Sequence, residues 1–217
     1  YPNGGGSTAS IDNVTNTQTL IENSIRYDVP IRNEDHKLNL TAVQSVDMSL
    51  RKTLGYSVEN LPVDKTYNYI ANGEVTGQRR QYSGNNLVSF MIRAQYNLME
   101  RYLFNVAVRR DASSRFGSGN KWGTFPSFAF AWRLSQENFL KNVSWVNNLK
   151  LRASYGIVGN QNGIDNYAAL GVAKPMPGEF GDTYYMGYLP GMELPNRNLK
   201  WEESATANVG LDFGFLE

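Results

Sequence analysis

The sequence has 217 residues, enough for one large domain or two small ones. Lys and Arg together number 21 and Asp and Glu 20, so the charge balance gives no electrostatic case for nucleic acid or for an acidic substrate. The chain has no cysteine and a single histidine, His36, so it has no disulfide framework, and a histidine-rich metal site or a Ser-His-Asp triad is not expected.

The composition favours β-structure over helices. Aromatic residues make up 12% of the chain, led by 13 Tyr and 10 Phe, and there are 20 Gly, a balance that suits strands and turns. No run of 18 apolar residues occurs, so no transmembrane helix is predicted. The strands of a membrane barrel produce no such run either, because each carries only about ten alternating residues. The first ten residues, YPNGGGSTAS, are polar and Gly-rich, unlike a secretory signal peptide.

Seven segments alternate apolar and polar residues, which predicts β-strands with two unlike faces. They are, in chain order, residues 17–27, 37–50, 87–98, 102–110, 124–134, 149–157 and 203–215. In the third segment, Val88, Phe90 and Ile92 fall on one face and Ser89 and Arg93 on the other. The alternation alone leaves two alternatives open. The apolar face packs into the core of a soluble sheet, or it faces lipid in a membrane barrel.

The connections between these segments alternate between short and long. Short turns are expected at residues 28–36, 98–101 and 136–147, and long loops at residues 51–86, 111–123 and 158–202. This rhythm is typical of an antiparallel up-and-down barrel with turns at one rim and large loops at the other.

One connection, residues 136–147, has apolar residues at helical spacing. Phe139, Leu140, Val143 and Val146 would share one side of a short helix. The helix is predicted either as an amphipathic helix at the turn rim or as an ordinary loop helix that caps a core.

Strand length and side-chain placement favour the membrane barrel. The segments run to about 9 to 14 residues, whereas soluble strands average about 5 to 6 and tilted membrane strands need about 9 to 11. Aromatic residues lie near strand ends, as in interfacial girdles. Several polar faces carry cationic residues that suit a water-filled or plugged lumen, namely Arg93, Arg109, Arg133, Lys150 and Arg152. Aromatic strand ends also occur in sandwich cores, so the soluble sheet stays open.

Five motifs occur in order in the second half of the chain. They are RRDASSRFG (Arg109–Gly117), WGTFPS (Trp122–Ser127), WRLS (Trp132–Ser135), LKLRASYGIVG (Leu149–Gly159, followed by Asn160 and Gln161) and LKWE (Leu199–Glu202, leading into NVGLDFGF). With this order and spacing, residues 87–217 resemble the SusC/RagA group of TonB-dependent outer-membrane transporters of Bacteroidetes.

The resemblance implies an all-β fold of antiparallel up-and-down strands, part of a large transmembrane β-barrel of about 22 strands. Residues 1–217 would be a fragment of the barrel domain with about seven strands, because a closed bacterial barrel has an even strand count. The plug domain and the terminal strands would be absent from this fragment. The short turns would be periplasmic and the long loops extracellular.

The resemblance also implies a function in the bacterial outer membrane. It implies TonB-dependent import of nutrients, oligosaccharides (glycan uptake) or oligopeptides, by the barrel component of a SusCD-like complex. The expected partners are a SusD-like surface lipoprotein, TonB through parts of the protein outside this chain, outer-membrane lipid and the substrate, with no nucleic acid.

Residues 158–202 contain the first set of candidate contact residues, Asp182, Tyr184, Tyr185 and Tyr188. Sugar rings stack on aromatic faces while acids and amides bind hydroxyl groups, so this set is predicted to contact substrate or the lid. The alternative is that the tyrosines form a miniature core for the long loop.

The RRDASSRFG motif supplies a second set, Arg110, Asp111 and Arg115, close to Arg109. One interpretation is a lumen-facing polar cluster near the substrate path. The alternative is that Asp–Arg pairing anchors the loop.

No catalytic residue, cofactor or metal site is predicted. Glu202 and Glu203 are adjacent on a strand and point to opposite faces, so they cannot flank one bond as glycosidase carboxylates do. The Gly-rich GSGNKWG stretch lacks a Walker pattern. The chain is therefore interpreted as a transport protein and not an enzyme. The alternative from another class is a soluble β-sheet carbohydrate-binding module with the loop tyrosines as its platform.

Overall fold

The computed structural model describes residues 7–61, 70–140, 145–180, 183–190 and 195–215. Nine strands alternate with turns and loops. They are β1 (Ala9–Val29), β2 (His36–Glu59), β3 (Glu74–Leu98), β4 (Tyr102–Ser113), β5 (Trp122–Arg133), β6 (Val146–Asn160), β7 (Ala173–Phe180), β8 (Thr183–Pro190) and β9 (Glu202–Phe215). Two short 3-10 turns, Ile70–Asn72 and Leu134–Gln136, complete the regular elements of these residues.

Seven of the strands form one sheet in the order β1-β2-β3-β4-β5-β6-β9, and β7 pairs with β8 in a separate two-stranded sheet. The pairs β3–β4, β4–β5, β5–β6 and β6–β9 are antiparallel. Each of the seven predicted strands corresponds to one strand of this sheet, so the all-β, antiparallel up-and-down prediction is confirmed. Among the described residues, none of the helices has the length and apolarity needed to cross a bilayer.

The chain divides into two compact units. The first comprises Tyr1–Thr19 and Asp47–Asn85, and the second comprises Leu20–Val46 and Asn86–Glu217. In the first unit, Arg79 forms an ion pair with Asp12 at 2.7 Å, and Gly55 leaves room for the Asp12 carboxylate.

The predicted loop at residues 51–86 is wrong in its extent, since β2 continues to Glu59 and β3 starts at Glu74. The connection is thus 14 residues, 60–73. In these strand extensions polar residues such as Arg51 and Gln81 lie among the apolar ones, so the period-two hydrophobic signal vanishes while backbone pairing continues. Hydropathy alternation reports how the faces differ, not where the hydrogen-bonded ladder ends.

The helix predicted within residues 136–147 is absent from the described part of that stretch. A 3-10 turn ends at Gln136, and Glu137 has an extended backbone (φ −77°, ψ 149°). The Glu137 carboxylate accepts hydrogen bonds from the Tyr102 hydroxyl at 2.7 Å and from the Trp132 indole N–H at 3.0 Å. These contacts fix Glu137 against neighbouring strands, and residues 141–144 of the predicted helix lie outside the described residues.

The long connection at residues 158–202 is not irregular throughout. It contains the hairpin of β7 and β8, paired from Ala173↔Pro190 to Phe180↔Thr183. The sequence prediction missed this hairpin because Gly and Pro residues interrupt any alternation there.

The β3–β4 connection is a tight turn at Met99 and Glu100. Both residues have positive φ, 54° and 57°, and Arg101 N–H donates to the Leu98 carbonyl at 3.0 Å. Two consecutive positive φ values characterise the type I′ hairpin turn, whose twist matches that of paired strands. The predicted short turn at residues 98–101 is therefore confirmed.

Candidate functional site

Strand register in the second unit places polar and small residues in one row across five strands. The row runs Gln95, Asn105, Ala129, Ser154 and Asn208 through direct pairing partners. All five, together with the residues next to them along each strand, line a concavity of about 1110 Å³. We call this surface of the second unit the concave face. Its polar lining can hydrogen bond to a polar ligand or to water.

Ion pairs neutralise several charges on the concave face. Asp212 on β9 contacts both Lys150 at 2.9 Å and Arg152 at 2.6 Å on the neighbouring β6. Arg109, four residues from Asn105 along β4 and therefore on the same face, donates from Nε to both oxygens of Asp111 at 2.8 and 2.9 Å. The carboxylates in these two groups are thus already held by neighbouring cations.

Some polar atoms of this surface lack a hydrogen-bond partner. Among the described residues, the Nε of Arg93 and the Oδ1 atoms of Asn97 and Asn105 are buried without one. The register places these three side chains as diagonal neighbours on β3 and β4. Arg93 is one of the lumen-facing residues predicted from the sequence, whereas the two asparagines are not. Only their alternation with apolar neighbours could have indicated them.

The next row on the opposite face is apolar. It runs Tyr96, Phe104, Phe130, Ala153 and Val209 through direct pairing partners. Ring centroids are 6.2 Å apart for Tyr96 and Phe104 and 5.0 Å for Phe104 and Phe130. Val209 is 82% exposed. We call this surface the apolar face, and it lies open instead of packing against a second layer.

Two tryptophans mark the ends of the apolar face on β5. Trp122 and Trp132 are ten residues apart, so they share a face and lie about 33 Å apart along the strand. With the tilt of about 40° usual in membrane barrels, this corresponds to about 25 Å of height, the thickness of the apolar band of outer-membrane barrels. The residues between them on this face are uncharged, namely Thr124, Pro126, Phe128 and Phe130. The spacing fits a bilayer-spanning surface.

A compact aromatic cluster lies at the long-loop end of the second unit. Phe116, Phe125 and Trp201 are buried, with ring centroids of Trp201 at 4.9 Å from Phe116 and 5.4 Å from Phe125. The Trp201 indole N–H donates to the carbonyl of Lys121 at 3.0 Å. Gly159 packs against the Phe125 ring, where a Cβ would collide. The cluster fixes the β4–β5 loop against the start of β9.

The structure separates the candidates of the RRDASSRFG motif. Asp111 is buried and bound by Arg109, whereas Arg110 extends from the other face, with its guanidinium carbon 5.0 Å from the centroid of the Trp122 ring. Arg115 donates to the carbonyl of Gln161 at 3.0 Å. The motif therefore does not form a single cluster, because alternation along β4 sends neighbouring side chains to opposite faces.

The tyrosine candidates lie in or beside the β7–β8 hairpin. Tyr185 and Tyr188 are exposed on β8, and their spacing of three sends them to opposite faces of the ribbon. Tyr184 is also on β8, but its side chain lies outside the described residues, as does all of Asp182. In the part of the chain that the structure describes, no three acidic, His or Cys side chains lie close enough to hold a metal ion.

A profile of the family described as "TonB dependent receptor-like, beta-barrel" matches residues 1–216. The chain belongs to this family. Receptors of this TonB-dependent family lie in the bacterial outer membrane, and the apolar face with its tryptophan borders is the surface that suits contact with lipid.

Individual relatives agree with the family match. The TonB-dependent receptor SusC of Bacteroides thetaiotaomicron is 48% identical over 136 residues, which cover 61% of this chain and 13% of SusC. The TonB-dependent receptor P3 of Formosa agariphila is 33% identical over 216 residues, which cover 99% of this chain and 21% of that receptor. Both genera are Bacteroidetes, and the resemblance to the SusC/RagA group is confirmed.

Solved structures of the RagAB peptide transporter show the same fold. The structure of the RagAB peptide transporter matches with a TM-score of 0.84 at 23% identity, covering 96% of this chain and 23% of that chain. The RagAB peptide importer in its "open-open" state matches with a TM-score of 0.83. The chain thus spans between 13% and 23% of the length of these proteins.

Proposed function

We propose that this chain is a segment of the barrel wall of a longer outer-membrane transporter that imports nutrients in a TonB-dependent manner. The observation that carries the proposal is one sheet with two unlike faces, an exposed apolar face bounded by Trp122 and Trp132 and a concave polar face opposite. The 48% identity to SusC supports the same function. The proposed activity is transport and not catalysis.

The proposed cargo is an oligosaccharide or an oligopeptide. Amide side chains such as Asn105 and Asn208 on the concave face both donate and accept hydrogen bonds, so they suit sugar hydroxyls and peptide groups alike. RagAB is a peptide transporter, and glycan uptake is the alternative proposed for this chain.

The proposed partners follow from the SusC and RagA relatives. A SusD-like surface lipoprotein would cover the barrel mouth, and TonB would act through parts of the protein outside this chain. We assign the short turns, including the one at Met99 and Glu100, to the periplasm and the long loops to the extracellular side, as is general for outer-membrane barrels. The exposed Tyr185 and Tyr188 on the β7–β8 hairpin are proposed contacts for the substrate or the lid.

The soluble carbohydrate-binding module is not favoured. A soluble sheet would have to cover the apolar face, yet Ile92 is 67% exposed and Val209 is 82% exposed. Such a continuous apolar surface is an aggregation hazard in water and a requirement in lipid.

Deletion of the gene in its source bacterium tests the proposed transport. Uptake of labelled oligosaccharides and oligopeptides of several lengths is measured in the deletion strain, in a strain complemented with the complete transporter, and in complemented cells whose inner-membrane proton gradient is collapsed. We expect one cargo class to be lost on deletion, restored by complementation and lost again without the gradient. Equal uptake of every cargo in all three conditions contradicts the proposal.

A further inference from the structure

Two consecutive pairs of arginines occur in the described strands, Arg79–Arg80 on β3 in the first unit and Arg109–Arg110 on β4 in the second. Consecutive residues of a strand project to opposite faces. Each pair therefore divides its two positive charges between the two faces of the sheet.

In the second unit, the first arginine of the pair is neutralised. Arg109 binds the Asp111 carboxylate through Nε and donates a further hydrogen bond to the Ser89 hydroxyl at 3.0 Å. Asp111 and Ser89 are both buried, so these hydrogen bonds are shielded from water. Arg109 has its counter-ion on the concave face.

The second arginine has a different environment. Arg110 lies on the apolar face, directly opposite Phe90 in the register, with its guanidinium carbon 5.0 Å from the Trp122 ring centroid. Trp122 in turn stacks on Phe90, with ring centroids 6.3 Å apart. Within the described residues, none of the ion pairs includes Arg110.

The pair in the first unit repeats the arrangement independently. Arg79 is paired with Asp12 at 2.7 Å. The guanidinium carbon of Arg80 lies 5.1 Å from the Tyr82 ring centroid, and its Nε donates to the Tyr82 hydroxyl at 2.7 Å. In both units one arginine has an acid as its partner and its neighbour has an aromatic ring.

An aromatic ring attracts a guanidinium group but leaves most of its five N–H donors unfilled. At the edge of a hydrocarbon layer a cation without an anion is costly, so a positive charge there favours an anionic group of the lipid. The guanidinium fork matches two oxygens of a phosphate. Arg110 is at the right depth for such a contact, since Trp122 marks the border of the apolar band.

We propose that Arg110, held in place by Trp122, binds a phosphate on the headgroup of an outer-leaflet lipid. The assignment of the site to the outer leaflet rests on the proposed orientation, in which the long loops are extracellular. The site would fix the depth of the barrel wall in the membrane and is separate from the concave face.

The test is a titration of the complete transporter, purified in detergent, with phosphorylated lipid A and with the same lipid after removal of its phosphate, followed by native mass spectrometry. Arg110→Gln is compared with wild type and with Lys200→Gln, which removes one charge from an exposed position outside the strands. We expect Arg110→Gln to weaken binding of the phosphorylated lipid about tenfold, the usual effect of one charge-assisted hydrogen bond. Lys200→Gln should bind as wild type does.

Two further comparisons complete the experiment. Arg110→Lys keeps the charge without the fork and should bind between wild type and Arg110→Gln, and each variant is checked for folding by its heat-dependent migration on gels. Equal binding of the lipid with and without phosphate, or equal binding by folded wild type and Arg110→Gln, overturns the proposal, as does displacement of all bound lipid A by millimolar inorganic phosphate. Uptake of cargo is measured on the same variants. If Arg110→Gln loses lipid binding but imports cargo normally, the result supports the lipid site and does not test transport. The loss of uptake in the deletion strain tests transport and does not test the lipid site.

Discussion

Phe116 is the largest fully buried side chain among the residues that the structure describes, with 2% of its surface exposed. Its ring packs on Trp201, which packs edge-on against Phe125. The described chain has few other buried apolar residues, because the two faces of a barrel wall meet lipid and lumen instead of a core. This one cluster therefore contributes an unusually large part of the side-chain packing in the second unit.

Phe116→Ala tests the contribution of the aromatic cluster to stability. Removal of the ring should lower the free energy of unfolding by about 3 kcal/mol, the usual cost of truncating a buried phenylalanine. The measurement is the urea midpoint of the complete transporter folded in lipid vesicles. Phe139→Ala is the matched control, since Phe139 is 66% exposed and should change stability by less than about 0.5 kcal/mol. Similar losses for the two variants would show that the cluster has no special role.

At the scale of elements, the β3–β4 hairpin has a turn whose twist suits the paired strands, but its two turn residues are ones that disfavour positive φ. Met99 and Glu100 both adopt positive φ, which costs a non-Gly residue about 1 kcal/mol. Tertiary contacts offset this cost. Met99 N–H donates to the Asp35 carbonyl at 2.6 Å, and Glu100 pairs with Lys37 at 2.7 Å. The Lys37 ammonium beside Glu100 holds the pKa of that carboxyl below its ordinary value. The turn is thus tied to the neighbouring turn before β2.

Met99→Asn should stabilise this hairpin. Asparagine tolerates positive φ, and the backbone hydrogen bond to Asp35 is kept, so we expect a gain of up to about 1 kcal/mol. Met99→Val should lose stability instead, because a β-branched residue is disfavoured at positive φ. Thermal unfolding of the two variants in detergent provides the measurement. The same midpoint for both would mean that the backbone at this turn is not strained.

At the scale of the whole molecule, the two faces of the sheet suit different surroundings, water for the concave face and lipid for the apolar face. The concave face carries amides and paired charges, and the apolar face carries aromatic and aliphatic side chains with tryptophans at its borders. Between the tryptophan borders, the cost of a charge should therefore depend on the face and hardly at all on the strand.

Val209 and Asn208 make this prediction testable with adjacent residues of β9. Val209→Arg places a charge on the apolar face and should cost about 2 kcal/mol, whereas Asn208→Arg places it on the concave face and should cost less than about 1 kcal/mol. The yield of folded, heat-modifiable protein recovered from outer membranes measures both. A larger defect for Asn208→Arg would mean that the faces are assigned the wrong way round.

Much of the fold was predictable from residues such as Phe90, Ile92 and Arg93, whose alternation indicates a strand and its two faces. The prediction failed in the extensions of β2 and β3, where polar residues interrupt the alternation of the two faces. It also failed where the conformation of a residue depends on a partner far away in the sequence. Glu137 is such a case, because its backbone is extended and its carboxylate is bound by the hydroxyl of Tyr102 and the indole of Trp132. The sequence predicted that a polar face exists, but it did not predict which candidate residues contact one another. Arg110 and Asp111 are neighbours in sequence and lie on opposite sides of the sheet.

The sequence by itself determined the seven two-faced strands, their up-and-down order and the family, because alternation and motif spacing are properties of nearby residues. Only the tertiary structure decided which polar side chains share the concavity, that the long connection contains the β7–β8 hairpin, and which arginine of each pair finds an acid. These features depend on register between strands. Register joins residues far apart in the chain through backbone hydrogen bonds, which every residue type can form except for the N–H donor that proline lacks.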